Sequence, residues 1–144
     1  MLDARPTAAT SGRWHPEYPM SDTLEALAVL FAGYEASGEM LTSEPDWWIH
    51  QLVVDDQVVG DIGFHGAPAD RCVEIGYAVV PARRGCGLAT RACALIVALA
   101  WRAGADQVLA DAAPDNTASR KVLLNNGFTP VDDRRFLIRR PASW

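Results

Sequence analysis

Residues 72–103 constrain the fold more than any other stretch. Cys72 to Val80 is a β-rich run stopped by Pro81, and Arg83-Arg84-Gly85-Cys86-Gly87-Leu88-Ala89-Thr90 is a glycine-rich turn. From Leu88 to Ala103 the apolar set Leu88, Ala92, Leu95, Ile96, Leu99 and Ala103 repeats at three- and four-residue spacing, with Arg91 and Arg102 off that face and Gly104 placed to close a helix. A strand, a turn and a helix, followed by a β-rich run from Gln107 to Ala112, make one strand-helix-strand crossover. In the turn, glycine permits positive φ and close approach of the backbone to a ligand, and the free N–H groups of the first helical turn point out of its mouth. Arg83 and Arg84 add full positive charge and Thr90 a hydroxyl, so the fitting occupant is a phosphate or pyrophosphate.

Around this unit, 144 residues suffice for one core, and we read residues 1–144 as a single domain. The first twenty residues, with three prolines, form an irregular opening segment, in which Leu2 to Arg5 is the one candidate for a first strand before Pro6. Asp22 and Glu25 make a capping box ahead of Leu24, Leu27, Leu30 and Phe31, one face of a helix ending near Gly33. A second helical turn fits Glu35 to Trp48. Ile49 to Val54, the turn pair Asp55-Asp56 and Gln57 to Phe64 read as a hairpin, and a loop from Gly66 to Asp70 leads into Cys72. After Ala112, Asn116 to Asn126 is a helix capped by Asn116 or Asp115 and closed by Gly127, and Phe128 to Val131 and Phe136 to Arg139 are the last strands. The predicted fold class is α/β (mixed α+β): a central, mostly antiparallel sheet flanked by helices.

Charge and composition remove several function classes. Residues 1–70 hold two basic and twelve acidic side chains, residues 71–144 eleven basic and six acidic, so an acidic half suited to a cation adjoins a basic half suited to an anion. The basic residues are spread without interleaved surface aromatics and the chain is −5 overall, which argues against nucleic acid as a partner. The longest apolar run, Ala92 to Trp101, is ten residues, against the roughly 20 of a membrane span, so no membrane association is expected. Histidines at 15, 50 and 65 have no ligand spacing, so no metal is expected. Cys72, Cys86 and Cys93 include no C-x-x-C pair and no secretory signal opens the chain, an arrangement expected of reduced thiols in the cytoplasm.

Two other phosphate loops fit poorly. A Walker loop requires Lys-Ser or Lys-Thr after the glycines, which is missing. A dinucleotide fingerprint from Gly85 has Thr90 where a third Gly or Ala should pack, and Asp106 precedes the next strand instead of ending it.

Arg84-Gly85-Cys86-Gly87-Leu88-Ala89 instead resembles the Q/R-x-x-G-x-G/A pattern of the GNAT superfamily of N-acetyltransferases. "VEIGYAVVP" resembles the strand before that loop and "PDNTASRKVLLNNGF" the following strand-to-helix segment; the likeness runs from about Asp46 to Phe136. "GDIGFHG" and "EIGYAVVP" look most like the branch of ribosomal-protein alanine N-acetyltransferases. The resemblance implies acetyl-CoA as co-substrate. It implies that Val79 and Val80 offer backbone groups to the pantetheine arm, that Arg83, Arg84, Gly85, Cys86, Gly87, Leu88, Ala89 and Thr90 hold the pyrophosphate, and that Asn116 and Ser119 touch the pantetheine or its sulfur. Asn116 also reads as a helix cap.

Acyl transfer from a thioester to an amine needs a neutral amine, donors for the developing oxyanion, and a stabilised thiolate. Glu74 is the leading base, with an apolar surround to raise its pKa; its structural alternative is an ion pair with Arg71 or Arg91. The resemblance implies that Ser119 is the donor to the leaving sulfur, its alternative being a solvated or backbone-bonded helix serine; Tyr77 is the alternative acid, although a tyrosine on a β-rich run also reads as core. A backbone N–H near Val79 or Val80 is the expected oxyanion donor. His65 is a substitute base or substrate contact, competing with an ordinary surface role. Cys86, in an arginine-rich helix N-terminus, reads as modifiable and not as a nucleophile. Trp14, His15, Glu17, Trp47, Trp48, Glu35 and Glu44 are the visible parts of an acceptor side for a cation.

The expected activity is acetyl transfer to a primary amine, on a small molecule or a protein N-terminus, by direct attack in a ternary complex. The protein is expected to act as a monomer or homodimer. The alternative is a non-catalytic acyl-CoA-binding sensor or interaction module.

Overall fold

The computed structural model describes residues 2–3, 13–21, 23–24 and 49–144. In chain order these form β1 (Leu2–Asp3), β2 (Arg13–Trp14), β3 (Ile49–Val54), β4 (Gln57–Phe64), β5 (Cys72–Val79), a 3-10 turn (Pro81–Arg83), α1 (Leu88–Arg102), β6 (Gln107–Asp111), α2 (Thr117–Asn125), β7 (Thr129–Pro130) and β8 (Arg135–Arg139). Of the expected first helix, Ser21, Thr23 and Leu24 are helical, and the Leu24 N–H already bonds the Met20 carbonyl (3.2 Å), so the helix begins ahead of the Asp22 cap. Asp22 itself, the rest of that helix and the turn over 35–48 lie outside the described residues.

The sheet runs β1-β3-β4-β5-β6-β8-β7, antiparallel throughout except for the β5–β6 pair joined by α1, with β2 lying parallel beside the start of β4. This mixed α/β architecture is the one the sequence predicts, and a single helical crossover between sheet neighbours is incompatible with a doubly wound dinucleotide fold. Leu2–Asp3 does pair with β3, supplying a first strand, and the opening segment contributes a second short strand at Arg13–Trp14 that the sequence reading treats as irregular.

Local chemistry explains the two hairpins. Asp55 and Asp56 both adopt positive φ (49° and 65°), the twist-matched two-residue turn that Asp tolerates better than most side chains. The loop from Gly66 to Asp70 joins β4 to β5 as expected, and it closes on a tight turn at Asp70-Arg71 (φ 50° and 61°), where Ala69 and Cys72 exchange both backbone hydrogen bonds.

The helix face needs a correction. Ala92, Cys93, Ile96, Val97, Ala100 and Trp101 are buried, whereas Leu95 is 47 % exposed and Ala103 is exposed. The run from Ala92 to Trp101 is apolar on every side, so its periodicity does not single out a face; packing against β4, β5 and α2 does. Cys93 and Trp101 thus join Ile62, Ile75, Val80 and Leu123 in one core.

Candidate active site

The glycine-rich turn has the shape its sequence predicts. Gly85 and Gly87 take φ of 80° and 81°, and Gly87 is the N-cap of α1 without any side-chain cap. The first helical hydrogen bond is Arg91 N–H to the Gly87 carbonyl (3.1 Å), which leaves the N–H groups of Leu88, Ala89 and Thr90 without helical acceptors. No acidic residue stands in this first turn, and nothing lies within 4 Å of where a Cβ on either glycine would project. An anion can therefore approach the positive end of the helix unopposed.

The two arginines part company. Arg84 Nε donates to the Val79 carbonyl (2.9 Å), fixing the guanidinium between the end of β5 and the loop. Arg83 leans towards the hairpin turn, its terminal nitrogen 3.9 Å from Asp55 Oδ2, and its carbonyl accepts the Cys86 thiol proton (2.9 Å).

Next to this loop the sheet opens. β5 pairs with β4 up to Val79, but its parallel ladder with β6 ends at Ile75–Ala110. Bonds from His65 N–H to the Glu74 carbonyl and from Val80 N–H to the Val59 carbonyl fix the alternation: Glu74, Gly76, Ala78 and Val80 turn their main-chain groups to β4, and Tyr77 and Val79 turn theirs to the β6 side. The Tyr77 and Val79 N–H groups consequently face the gap. Val80 does not: its N–H bonds the Val59 carbonyl and its carbonyl accepts the Arg83 N–H, so of the two valines expected to offer backbone groups only Val79 turns an N–H to the gap, with Tyr77 beside it. The Val79 carbonyl is likewise engaged, by Arg84.

Side chains divide between the two faces of β5. On the α1 side, the Tyr77 hydroxyl lies 2.8 Å from Ser119 Oγ and 3.1 Å from the Ser119 carbonyl oxygen, bringing together two residues that the sequence offers separately. Burial pushes the Tyr77 phenol up to about 12, against a smaller lowering from its Ser119 hydrogen bond. Burial also raises the thiol of neighbouring Cys93 to about 12. Ser119 is placed by Asn116, whose Oδ1 accepts the Ser119 N–H (3.1 Å) as the N-cap of α2. At the far end of α2, Asn126 Nδ2 donates to the Val122 carbonyl (2.9 Å) and to the Thr90 carbonyl of α1 (3.2 Å).

The opposite face carries Asp61 and Gly63 of β4, and His65 just beyond its end, beside Glu74, Gly76 and Ala78 of β5. A cavity of about 140 Å³ opens here, lined among the described residues by Ile49, Asp61, Gly63, Phe64, His65, Gly76, Tyr77 and Ala78. Glu74 does not line it. Its side chain is 46 % exposed instead of sitting in an apolar surround, and its partner is His65, with Nδ1 to Oε1 at 3.6 Å. The alternative partner Arg71 pairs with Asp106 (2.7 Å). Asp61 is buried and accepts a hydrogen bond from Thr23, and its carboxylate helps to hold the buried Tyr18 phenol protonated, after burial itself. Sequence reasoning names Glu74 and His65 of this face separately but misses Asp61 and the cavity, although Asp61, Gly63 and His65 share one alternating register.

Of the expected acceptor-side residues, Trp14 packs edge-on against Tyr18 (5.3 Å), and Glu17 accepts the Ala82 N–H (3.3 Å) and lies 3.8 Å from His15 Nδ1. Trp47, Trp48, Glu35 and Glu44 lie outside the described residues. Among the described residues no group of three or more His, Cys, Asp or Glu side chains is placed to hold a metal, and no helix is long and apolar enough to cross a membrane. A larger cavity, about 320 Å³, lies at the other end of β6 among Asp106, Arg140 and Trp144, away from the loop and the gap.

Known structures share the fold. The structure resembles yncA, a putative acetyltransferase of Salmonella typhimurium solved with acetyl-CoA, at 18 % identity over 85 % of this chain and 92 % of that one, with a TM-score of 0.59. It also resembles a GNAT-family acetyltransferase from Bacillus anthracis (19 % identity, 63 % of this chain and 65 % of that one, TM-score 0.58), so it spans less than two thirds of that protein's length. A third likeness is to the Microcin C7 self immunity acetyltransferase MccE, solved with acetyl-CoA and AMP (16 % identity, 85 % and 90 % covered, TM-score 0.58). At these identities the likeness is one of fold. No curated protein matches the chain. The family model for the acetyltransferase (GNAT) domain, however, matches residues 2–129, from the first strand through the loop and the opened β5 edge to the end of α2, and on that match the chain belongs to the GNAT acetyltransferase family.

Proposed function

We propose that this protein transfers the acetyl group of acetyl-CoA to a primary amine by direct attack within a ternary complex, with residues 1–144 working as one domain. The observation that carries this reading is the early end of the β5–β6 ladder beside an uncapped, glycine-lined helix N-terminus. A strand edge with free main-chain donors suits an amide-bearing arm, and three unpaired N–H groups with Arg84 suit its diphosphate. Gly85 to Thr90 and Arg84 hold the phosphates; Arg83 adds charge from the hairpin side.

Acetyl-CoA supplies the thioester carbon. Tyr77, beside Ser119, presents its main-chain N–H to the oxygen that becomes negative, and Val79, about 6.8 Å further along the strand, offers its N–H to the amide-bearing arm. Ser119 gives its hydroxyl proton in a hydrogen bond to the departing sulfur, and Asn116 holds the first turn of α2 in register for it. Tyr77, raised to about 12, sits well above the roughly 8.5 of an ordinary thiol, so it keeps its proton and acts as a donor to Ser119 Oγ and not as the acid itself. The amine enters from the cavity face, across the strand from Ser119, where Glu74 and His65 provide the basic groups. Attack from one side and departure on the other follow from the alternation of side chains along β5.

The acidic cavity face suits a cationic acceptor. The likeness of "GDIGFHG" and "EIGYAVVP" to ribosomal-protein alanine N-acetyltransferases favours a protein N-terminus, and the three unpaired cysteines fit a reducing cytoplasm. The test is thiol release from acetyl-CoA with a panel of excess amines: a peptide with a free N-terminal alanine, an amino acid, a polyamine and an antibiotic amine. Amine-dependent release that drops about 10- to 100-fold in Ser119→Ala, and also falls in Glu74→Gln, is expected. Tight coenzyme A binding with no amine-dependent release from any acceptor overturns it in favour of a non-catalytic acyl-CoA-binding module.

A further inference from the structure

We infer that the proton acceptor of the reaction is His65 Nε2, with Glu74 as its positioning residue; this rests on the acetyltransferase reading above. Three observations place the imidazole ahead of the carboxylate. His65 lines the cavity beside the open half of β5, and Glu74 does not. Glu74 stands on the closed half, opposite Leu109 of β6. The imidazole reaches towards Gly76 with its Nε2 edge leading: a Cβ there would stand 2.6 Å from Nε2 and 3.4 and 3.7 Å from the two adjoining ring carbons. Gly76 is thus the residue that lets the ring reach from β4 across β5 towards the gap.

The tautomer follows from the neighbour. Glu74 Oε1, 3.6 Å from Nδ1, favours a proton on that nitrogen and leaves the lone pair on Nε2, the ring atom directed at the space over Gly76, which also lines the cavity. Nε2 takes one proton from the substrate ammonium, and the freed lone pair of the amine attacks the thioester carbonyl carbon. The C–N bond forms, the C–S bond breaks with its electron pair leaving on sulfur, and the second amine proton passes to that thiolate. The imidazolium returns its proton to water. Glu74 steadies the imidazolium while it exists.

The experiment uses the full chain, acetyl-CoA and a peptide with a free N-terminal alanine. His65→Ala is expected to lower kcat by about 100-fold or more, to be partly restored by added imidazole, and to leave coenzyme A affinity unchanged. Glu74→Gln, which keeps a partner for Nδ1–H, is expected to lose only about 5- to 10-fold in kcat and to gain nothing from imidazole. Gly76→Ala displaces the ring without requiring an unusual backbone and is expected to lower kcat about 10-fold with KM for acetyl-CoA unchanged. A wild-type protein that turns over while His65→Ala matches it, or a 100-fold loss in Glu74→Gln beside a small one in His65→Ala, overturns this assignment alone. A wild type that releases no thiol with any amine overturns the acetyltransferase reading and this assignment with it.

Discussion

Replacing Gly87 tests the loop most directly. Its φ of 81° lies in the left-handed region, where an L side chain costs about 1–2 kcal/mol, and nothing surrounds the site that a Cβ would strike. Strain alone should therefore lower the melting temperature of Gly87→Ala by about 3–8 °C. Gly104, at φ 96° beyond the other end of α1, has equally empty surroundings, so Gly104→Ala carries the same strain at a distance from the loop. Binding separates the two. A hydrogen bond from a main-chain N–H to a charged phosphate contributes about 1.5–3 kcal/mol, and shifting the N–H groups of Leu88 to Thr90 so that one such bond is lost weakens coenzyme A by about 10- to 150-fold. Gly87→Val, with a branched Cβ, should reach the upper part of that range, whereas Gly104→Ala should bind as the wild type does. Titration calorimetry with coenzyme A, beside thermal melts of each variant, reads both effects. Unchanged affinity in the double variant Gly85→Val/Gly87→Val, or an equal loss in Gly104→Ala, would refute the anion-loop argument.

Other outcomes follow from the same geometry. Arg84→Met should weaken coenzyme A by about 10-fold because it removes a charge held at the loop by Val79, whereas Arg83→Met should lose no more than about 3-fold, and competition binding at two salt concentrations distinguishes them. Tyr77→Phe should lower kcat by about 5- to 10-fold with KM for acetyl-CoA unchanged, since Ser119 keeps its N-cap but loses its phenol partner; steady-state kinetics reads the split. Tyr77 and Cys93 both hold their protons more tightly in the folded protein, with values raised from 10.0 and 9.0 to about 12. Their contribution to stability is complete below pH 9 and lost as pH rises towards 12, so urea midpoints should fall across pH 9–12, less steeply in Tyr77→Phe. Asp132 has the opposite sign. Bonds from the Arg135 and Arg134 N–H groups, and from the Arg135 side chain, lower it from 3.8 to about 2, so what it adds to the β7–β8 turn is present above pH 4 and disappears as pH falls through 2; Asp132→Asn should flatten that part of an acid titration.

Local chemistry made much of the fold legible. The β3–β4 hairpin fell where two adjacent aspartates sit between β-rich runs, and α2 fell between Asn116 and Gly127, because turn and cap preferences act within a few residues. The buried face of α1 was not legible, since ten consecutive apolar residues satisfy several faces equally. The loop between β4 and β5 was legible from its Gly, Pro and Asp residues, but the tight turn at Asp70 and Arg71 that closes it holds no glycine and was not marked by residue type. In the site, the loop was readable from its glycines and arginines. The gap was not, because it depends on where β6 stops following β5, a property of the pair and not of either strand. The pairing of His65 with Glu74 was hidden likewise: it needs the register across β4 and β5, which the extra residues between Phe64 and Cys72 conceal.

The amide of Asn126 links events at opposite ends of α2. By gripping the Thr90 carbonyl, it clamps the base of the phosphate loop to the helix whose first turn carries Ser119. On the function proposed above, the anchor for one end of the carrier molecule and the donor for its other end would thereby be mounted on a single frame, a gauge of length. A thioester tethered there through its diphosphate would arrive with its sulfur already at the right mark, and a shorter carrier lacking that tether would have nothing to stop it sliding along the slot.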